Sequence, residues 1–527
     1  MKRLDAFFRE NGLDYYLLGG SLIGALRHNG FIPWDDDMDI MVTRDVYEQL
    51  IAMEDRLPYD IEFVCLENSP QFCKPYGMFS LKTDTCTSYS RFFWGGRCMG
   101  TAIDVFVMDD MNMEDFDEFF KTLVLHQDVI YRAKLSSERV ADYKDEYFAY
   151  KAREKTEGRE AVIRELRAKL KSFAERDDCD KRVVTTWGRS NLRTYSIDWV
   201  QEPKYVKFED TEFAVPTKSE ACLRLQYGYD WYMIPENTEQ ITHNLCINPD
   251  MSYNNYYKDM DRFIDWEAAY EALDRQKILR IENLEITHKV ADFRSEIAAN
   301  RLLMRYETRS DESRLEALKK GEYYHLLEDM QPFLTYRNNL SKAGLTDIIS
   351  DTMLTEWIRQ LIYSGKYYHA IKAARIFGKG RTDEGFKEVC DLLDKVKELA
   401  ACWQDHDCEG ISKAIAEIPS GLQDTLPDCI LAKGRLYFAR RSDLRSRDAL
   451  IDTCRAYLQS YPKNCDIKKL LGDLLWDKEE KDEAMALYRE VNADSRNGLD
   501  LLELRDRFGF EPGYLADLTV ESIEDEE

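Results

Sequence analysis

The chain has 527 residues and a formal net charge of −26, with 44% hydrophobic and 33% charged residues. It exceeds the roughly 250–300 residues at which a single core stops growing, so two or three domains are expected. The acidic balance argues against a nucleic-acid backbone or an anionic membrane as the main partner, and leaves open small anionic substrates held through a metal.

Thirteen cysteines contain no CxxC pair. The start, MKRLDAFFRENG, reads as an amphipathic helix and not as a leader. Reduced thiols in a cytoplasmic protein are expected. Cys402, His406 and Cys408 in CWQDHDC lack a second ligand pair and read as chance neighbours. No apolar run approaches the roughly 18 residues of a membrane span, so the protein is expected not to be membrane-spanning.

In chain order, DYYLLGG (14–20) is a short apolar strand ending in two glycines. SLIGALRHNG follows as a helix, with Ser21 as its N-cap, Gly30 as its stop and His28 on its surface. DMDIMV (37–42) alternates strictly and reads as a half-buried strand. RDVYEQLIAMEDRL is an amphipathic helix, and DIEFVCLE (60–67), GMFSLKT (77–83) and TAIDVFV (101–107) are further strands. Asp109 and Asp110 read as caps in the loop beyond. From about 112 to 178 the pattern is helical and charge-dense, with 151–178 as one exposed helix. YVKFEDTEFAVP (205–216) is two strands about a turn at 209–211, and a helix from Ser219 to Tyr227 leads into YGYDWYMIP.

Beyond about 250 strand signals fade. Leu471, Gly472, Ala484, Tyr488 and Val491 fall on the spacing of a tetratricopeptide unit, and Leu361, Ala370 and Ala374 fit it more loosely. Such hairpins cannot bury their apolar faces alone and stack on neighbours. The expected fold is an α/β (α+β) nucleotidyltransferase-like mixed sheet with helices, followed by an all-α tetratricopeptide-like region. The boundaries are a catalytic domain at 1–250 with a helical insertion at 112–200, a helical linker at 251–320, repeats at 321–515 and an acidic tail at 516–527.

The chemistry concentrates in WDDDMDI. On an extended strand Asp37 and Asp39 share a face about 6.6 Å apart. Such a pair grips magnesium, which takes oxygen ligands and commonly combines one or two carboxylates with substrate phosphates. Gly19, Gly20 and Ser21 lie between a strand and a helix, where glycine admits a phosphate to the backbone N–H groups of a helix start. Asp104, a lone acid in TAIDVFV, is the third carboxylate, for metal binding or proton acceptance. Trp34 reads as a wedge beside the acids. RFFWGGR (91–97) is a hairpin turn or an aromatic substrate contact, and His243 reads as structural.

GGSLIGALRHNGFIPWDDDMDI closely resembles the signature of the LicD family of phosphocholine transferases, related to fukutin-type proteins. LKTDTC (81–86), AIDVF (102–106), VKFEDTEFAVP (206–216) and YGYDWYMIP (227–235) agree with it. The family's last segment reads more like YGDYM before proline. Additional aromatics intervene here, so no role is assigned to Asp230. The resemblance spans roughly residues 1–245.

It implies metal-dependent transfer of a phospho-alcohol, phosphocholine from CDP-choline above all, to a hydroxyl of a cell-surface glycan such as lipopolysaccharide or teichoic acid, or of its precursor. Asp37 and Asp39 match the metal pair, Asp104 the additional acid, and Gly20 and Ser21 the phosphate-cradling turn. Arg27 matches the arginine of the signature, which would neutralise phosphate oxygens, and Lys82 a substrate-binding basic position before the threonine of the family's following strand. Mg2+ is the implied ion, with Mn2+ as substitute. Implied partners are a CDP-alcohol donor and a glycan acceptor, with a protein partner on the repeats. The alternatives are a nucleotidyltransferase that makes an NDP-activated compound, and a helical-repeat scaffold with a decayed enzyme domain.

Overall fold

In the computed structural model, which describes residues 1–32, 34–65, 67–69, 72, 76–87, 100–130, 141–184, 193–233, 246–257, 265–342, 344–345, 347–405, 407–440 and 444–494, the chain divides into two units. The first comprises Met1–Gln226 with Ile241–Thr287, and the second Tyr227–Gln240 with His288–Glu527. The expected linker 251–320 is shared between them.

The first unit is built on a seven-stranded mixed sheet. Its strands are β1 (Tyr16–Leu17), β2 (Asp39–Thr43), β3 (Ile61–Val64), β4 (Gly77–Leu81), β6 (Ala102–Met111), β7 (Lys181–Val184) and β8 (Arg193–Ser196). Two two-stranded sheets, β5 (Thr85–Thr87) with β11 (Cys246–Asn248) and β9 (Lys204–Phe208) with β10 (Thr211–Val215), stand apart from it. The hub is β6. Along one edge it pairs in parallel with β2; along the other it pairs antiparallel with β4 over its first half and with β7 over its second. A run as long and apolar as AIDVFVMDDM suits this place, because a central strand buries both faces. For the same reason β2 is not half-buried as its alternation suggested: Ile40, Met41 and Val42 are all fully buried.

Strands β7 and β8 were not legible as strands. The segment 112–200 holds both, along with α4 (Phe116–Ile130), Lys144–Glu157 and Arg159–Ser172. The expected single helix over 151–178 is two helices, broken at Gly158, where φ is +88°. Phe120, Val124, Tyr147, Val162 and Leu166 form their shared core, joined by Ile281. These helices cover the sheet; they do not project from it. Met111 and Val183 of β6 and β7 pack with Phe119, Leu123 and Leu170.

Asp109 and Asp110 are not loop caps, since β6 continues through them. Asp109 is buried and takes two hydrogen bonds from the buried Arg44 guanidinium, at 2.8 and 2.7 Å. Asp110 accepts from Arg182 Nε at 2.8 Å.

The second unit is a series of antiparallel helical hairpins: Asp351–Tyr363 with Tyr367–Phe377, Glu384–Gln404 with Cys408–Glu417, Pro427–Arg440 with Leu444–Ser460, and Cys465–Asp477 with Lys481–Asp494. Leu361, Ala370, Leu471, Ala484, Tyr488 and Val491 are buried in it, whereas Ala374 is half-buried. The aromatic run after Tyr227 belongs to this unit. Trp231 Nε1 donates to Gln404 Oε1 at 2.9 Å, and Gln404 Nε2 donates to the Tyr229 carbonyl at 2.8 Å. The Tyr232 hydroxyl donates to buried Asp428 at 2.5 Å, and Asp230 accepts from the Tyr368 N–H at 3.2 Å. Asp230 thus serves the start of helix Tyr367–Phe377. Residues 91–97, 234–235, His243, His406 and 495–527, including the acidic tail, lie outside the described residues.

Candidate functional site

Three short segments converge at the N-terminal end of β2. The first is the turn from β1 into α2 (Gly19–His28). Gly19 takes φ +62°, a left-handed conformation that a side chain would strain, and this lets the chain enter the helix directly from the strand. The helix therefore begins two residues before Ser21. Its N-cap position is Leu18, and no side chain caps it. The Ser21 hydroxyl does different work from the expected cap: it accepts the backbone N–H of Asp39 at 2.9 Å. The Leu18 N–H in turn donates to the Asp39 carbonyl at 3.0 Å. Both bonds fix the glycine turn against the first residue of β2.

The second segment is the acidic loop. Asp35, Asp36 and Asp37 precede the strand and are half-buried, like Asp39. Asp37 thus lies two residues ahead of the first ladder position, and Met38 between the two is buried. Asp35 was not among the residues singled out from sequence. Its carboxylate fills the space in front of Gly20, where an added Cβ would come within 2.3 Å of Asp35 Oδ2. An anion beside a helix start is favoured by the exposed N–H groups and the helix dipole.

The third segment is β6. Its parallel register places Asp104 directly across from Asp39, and the Asp104 N–H donates to the Met38 carbonyl at 2.9 Å. Register partners on parallel strands project from the same face, with backbones about 4.8 Å apart. Asp39 and Asp104, 65 positions apart in sequence, are thereby neighbours beside the start of α2.

The remaining predicted residues lie further along their elements, Arg27 in the last turn of α2 and Lys82 beyond the end of β4. Arg27 is buried near the far end of α2, its guanidinium 5.9 Å from the Trp34 ring centre. His28 is buried as well, and not on the surface as expected, because it packs edge-on against Trp34 at 6.1 Å. Lys82 lies just past β4, and its ammonium donates to the Tyr59 carbonyl at 2.9 Å.

One further residue was seen in the sequence only as part of a turn. Glu209, at φ +54° in the β9–β10 turn, accepts the Phe31 N–H at 3.0 Å, and its own N–H donates to the Asn29 carbonyl at 2.6 Å. It holds the loop that leads into the acids. Nothing in its local sequence gave this partner away.

Chemically, an uncapped helix start beside strand-borne carboxylates suits a phosphate ester held together with a hard cation. Among the described residues no group of three or more His, Cys, Asp or Glu side chains is placed to hold a metal ion. The all-oxygen donor set and the Asp39–Asp104 pair fit magnesium, which uses one or two protein carboxylates and completes its shell with water and phosphate oxygens.

Comparison with known proteins agrees with this class. Residues 12–72 match the LicD/FKTN/FKRP nucleotidyltransferase domain. The lipopolysaccharide cholinephosphotransferase LicD of Haemophilus influenzae is 56% identical over 39 residues, which is 7% of this chain and 15% of that protein. Uncharacterized proteins of Rickettsia prowazekii and Rickettsia typhi are 31% identical over 77 residues and 34% over 65, covering 14% and 12% of this chain. The chain spans only 28% and 21% of those two relatives. No solved structure matches. The chain carries a LicD-type segment at its N-terminal end, and this segment contains the glycine turn and the acidic loop.

Proposed function

We propose that this protein transfers a phospho-alcohol, phosphocholine in the first instance, from a CDP-activated donor to a hydroxyl of a cell-surface glycan or its precursor. The observation that carries the reading is the side-by-side pairing of Asp39 and Asp104 next to an uncapped, glycine-led helix start, within a fold region that includes the LicD-type segment. In this reading the sheet unit is a nucleotidyltransferase-like domain working in the cytoplasm. The helical hairpins are tetratricopeptide-like and engage a protein partner.

Asp39 and Asp104 would hold Mg2+, or Mn2+ in its place, with Asp37 in the loop two residues ahead of the strand as a reserve ligand. A divalent cation there supplies charge neutralisation for the donor diphosphate and the departing CMP. Gly19 and Gly20 form the turn that would face the diphosphate, with the Asp35 carboxylate seated in front of Gly20, and Ser21 fixes β2 against this turn. Arg27 adds a buried positive charge beside Trp34, and Lys82 a basic flank. The acceptor oxygen attacks the phosphorus that carries the alcohol. A new P–O bond forms, the P–O bond to CMP breaks, and Asp104 takes the hydroxyl proton.

The test is product analysis with the full-length protein, CDP-choline, magnesium and a glycan acceptor. The reading expects CMP release that a chelator abolishes and that Asp39→Asn lacks despite an unchanged melting temperature. Pyrophosphate release from CTP and an alcohol phosphate would assign nucleotidyl transfer instead. Normal turnover by Asp39→Asn would remove the metal pair from the account.

A further inference from the structure

The acidic loop returns along one face of α2, from the helix's end back to its start. Two glycines one turn apart mark the track. An added Cβ at Gly24 would come within 2.4 Å of the Gly30 carbonyl, and one at Gly20 within 2.3 Å of Asp35 Oδ2. At Gly24 the obstacle is backbone, so a side chain there would lift the loop from the helix. Between these two contacts the Asp35 N–H donates to the Ile32 carbonyl at 2.9 Å, and Trp34 packs on His28. The loop is thus short and tightly turned. Where its first residues are held decides where its carboxylates arrive.

Those first residues are held from 178 positions away. Glu209 accepts the Phe31 N–H through Oε1 at 3.0 Å, and its own N–H donates to the Asn29 carbonyl at 2.6 Å. Gly30 lies between them and lacks the Cβ that would meet Glu209 Oε1 at 2.2 Å. The Phe31 ring stands edge-on to Phe208, with centroids 4.9 Å apart. Three non-glycine residues take positive φ among the described residues, and two of them, Asn29 and Glu209, both at +54°, are the pair joined here. A left-handed backbone is unfavourable for a residue with a side chain and persists where several contacts enforce it. We infer that Glu209 is a positioning residue for the proposed transfer. By pinning Phe31 it sets how far the loop reaches along α2, and so where Asp35 and Asp37 stand beside Asp39 and Asp104. The consequence for cation-dependent donor binding rests on the proposed function; the pinning does not. An acceptor oxygen of the right reach suffices for this task, and no charge is needed.

The experiment compares the full-length wild type with Glu209→Gln and Glu209→Ala. Glutamine keeps an acceptor at the same reach, alanine removes it, and both keep the Cβ, so the backbone cost at position 209 is the same in all three. In hydrogen–deuterium exchange, amides of residues 29–39 should exchange about fivefold faster in Glu209→Ala and at the wild-type rate in Glu209→Gln, with β4 and β6 unchanged. In calorimetric titration of CDP-choline at graded magnesium, Glu209→Ala should need about fivefold more magnesium for half-maximal affinity, and Glu209→Gln no more than the wild type. A hairpin that merely braced the fold would lower the melting temperature and leave the magnesium requirement alone. Wild-type loop exchange in Glu209→Ala, an unchanged magnesium requirement despite faster exchange, or a glutamine variant as impaired as the alanine one would overturn the inference. A wild type that binds no CDP-choline would remove the proposed function, and the exchange measurement alone would then uphold or overturn the pinning.

Discussion

Strand β6 carries two aspartates five residues apart, and the protein treats them in opposite ways. Asp109 is buried and clamped by Arg44. Burial opposes the charge on Arg44, yet Asp109 holds its guanidinium well above the ordinary arginine range. Asp104 remains half-exposed, and the residue across the ladder from it is another acid, Asp39. A carboxylate with a structural task is matched by a cation from the fold itself. Two neighbouring carboxylates repel each other, and in the proposed reading a cation that arrives with the donor offsets this.

The comparison breaks most directly at the acidic end. Asp39→Asn and Asp104→Asn should each reduce CMP release by about a thousandfold or more, measured as initial rates. Their thermal midpoints should stay unchanged. At the other end the effects invert. Asp109→Asn leaves Arg44 buried without its counter-charge and should cost about 3–5 kcal/mol in denaturant unfolding. The folded fraction should keep its activity.

A third acid, in the helical unit, sharpens the contrast. Asp428 is fully buried, and burial pushes its carboxyl up to about 7 from 3.8, against the opposing hydrogen bond from Tyr232. The fold favours the protonated form. The stability this contributes is complete below pH 3.8, declines as pH rises from there toward 7, and is lost above. Asp428→Asn should therefore flatten the fall in stability between pH 5 and 8, by about 2–4 kcal/mol at the alkaline end, in urea titrations across that range. The smallest effect belongs to Gly20→Ala. Its methyl group meets Asp35 Oδ2, the end of a flexible side chain, so stability should fall by only about 1 kcal/mol. Donor affinity should fall about tenfold, as read by titration calorimetry, because the methyl group displaces the Asp35 carboxylate from its place beside the helix start.

The glycine turn, the acidic loop and Asp104 were legible because each is a local pattern with a chemical reason. Two glycines end an apolar strand, alternating acids open another, and a lone acid interrupts a third. The strand pairings β2–β6 and β4–β6 were not legible, since register depends on long-range contacts. The role of Ser21 was misread for a related reason: Gly19 starts the helix early by adopting a conformation that only the backbone reveals. His28 looked exposed from its position at a helix end, but Trp34 folds over it. Strands β7 and β8 were hidden in a stretch dominated by helical charge patterns. Glu209 had no local signature, because its partners at 29 and 31 are far away in sequence.

The central claim is that Asp39 and Asp104 grip a divalent cation together with the donor diphosphate. Calorimetric titration of CDP-choline into the full-length protein, with and without magnesium, tests it most directly. The account predicts saturable binding that requires magnesium and disappears in Asp39→Asn and Asp104→Asn. Equal affinity in the absence of magnesium, or undiminished binding by either variant, would contradict it.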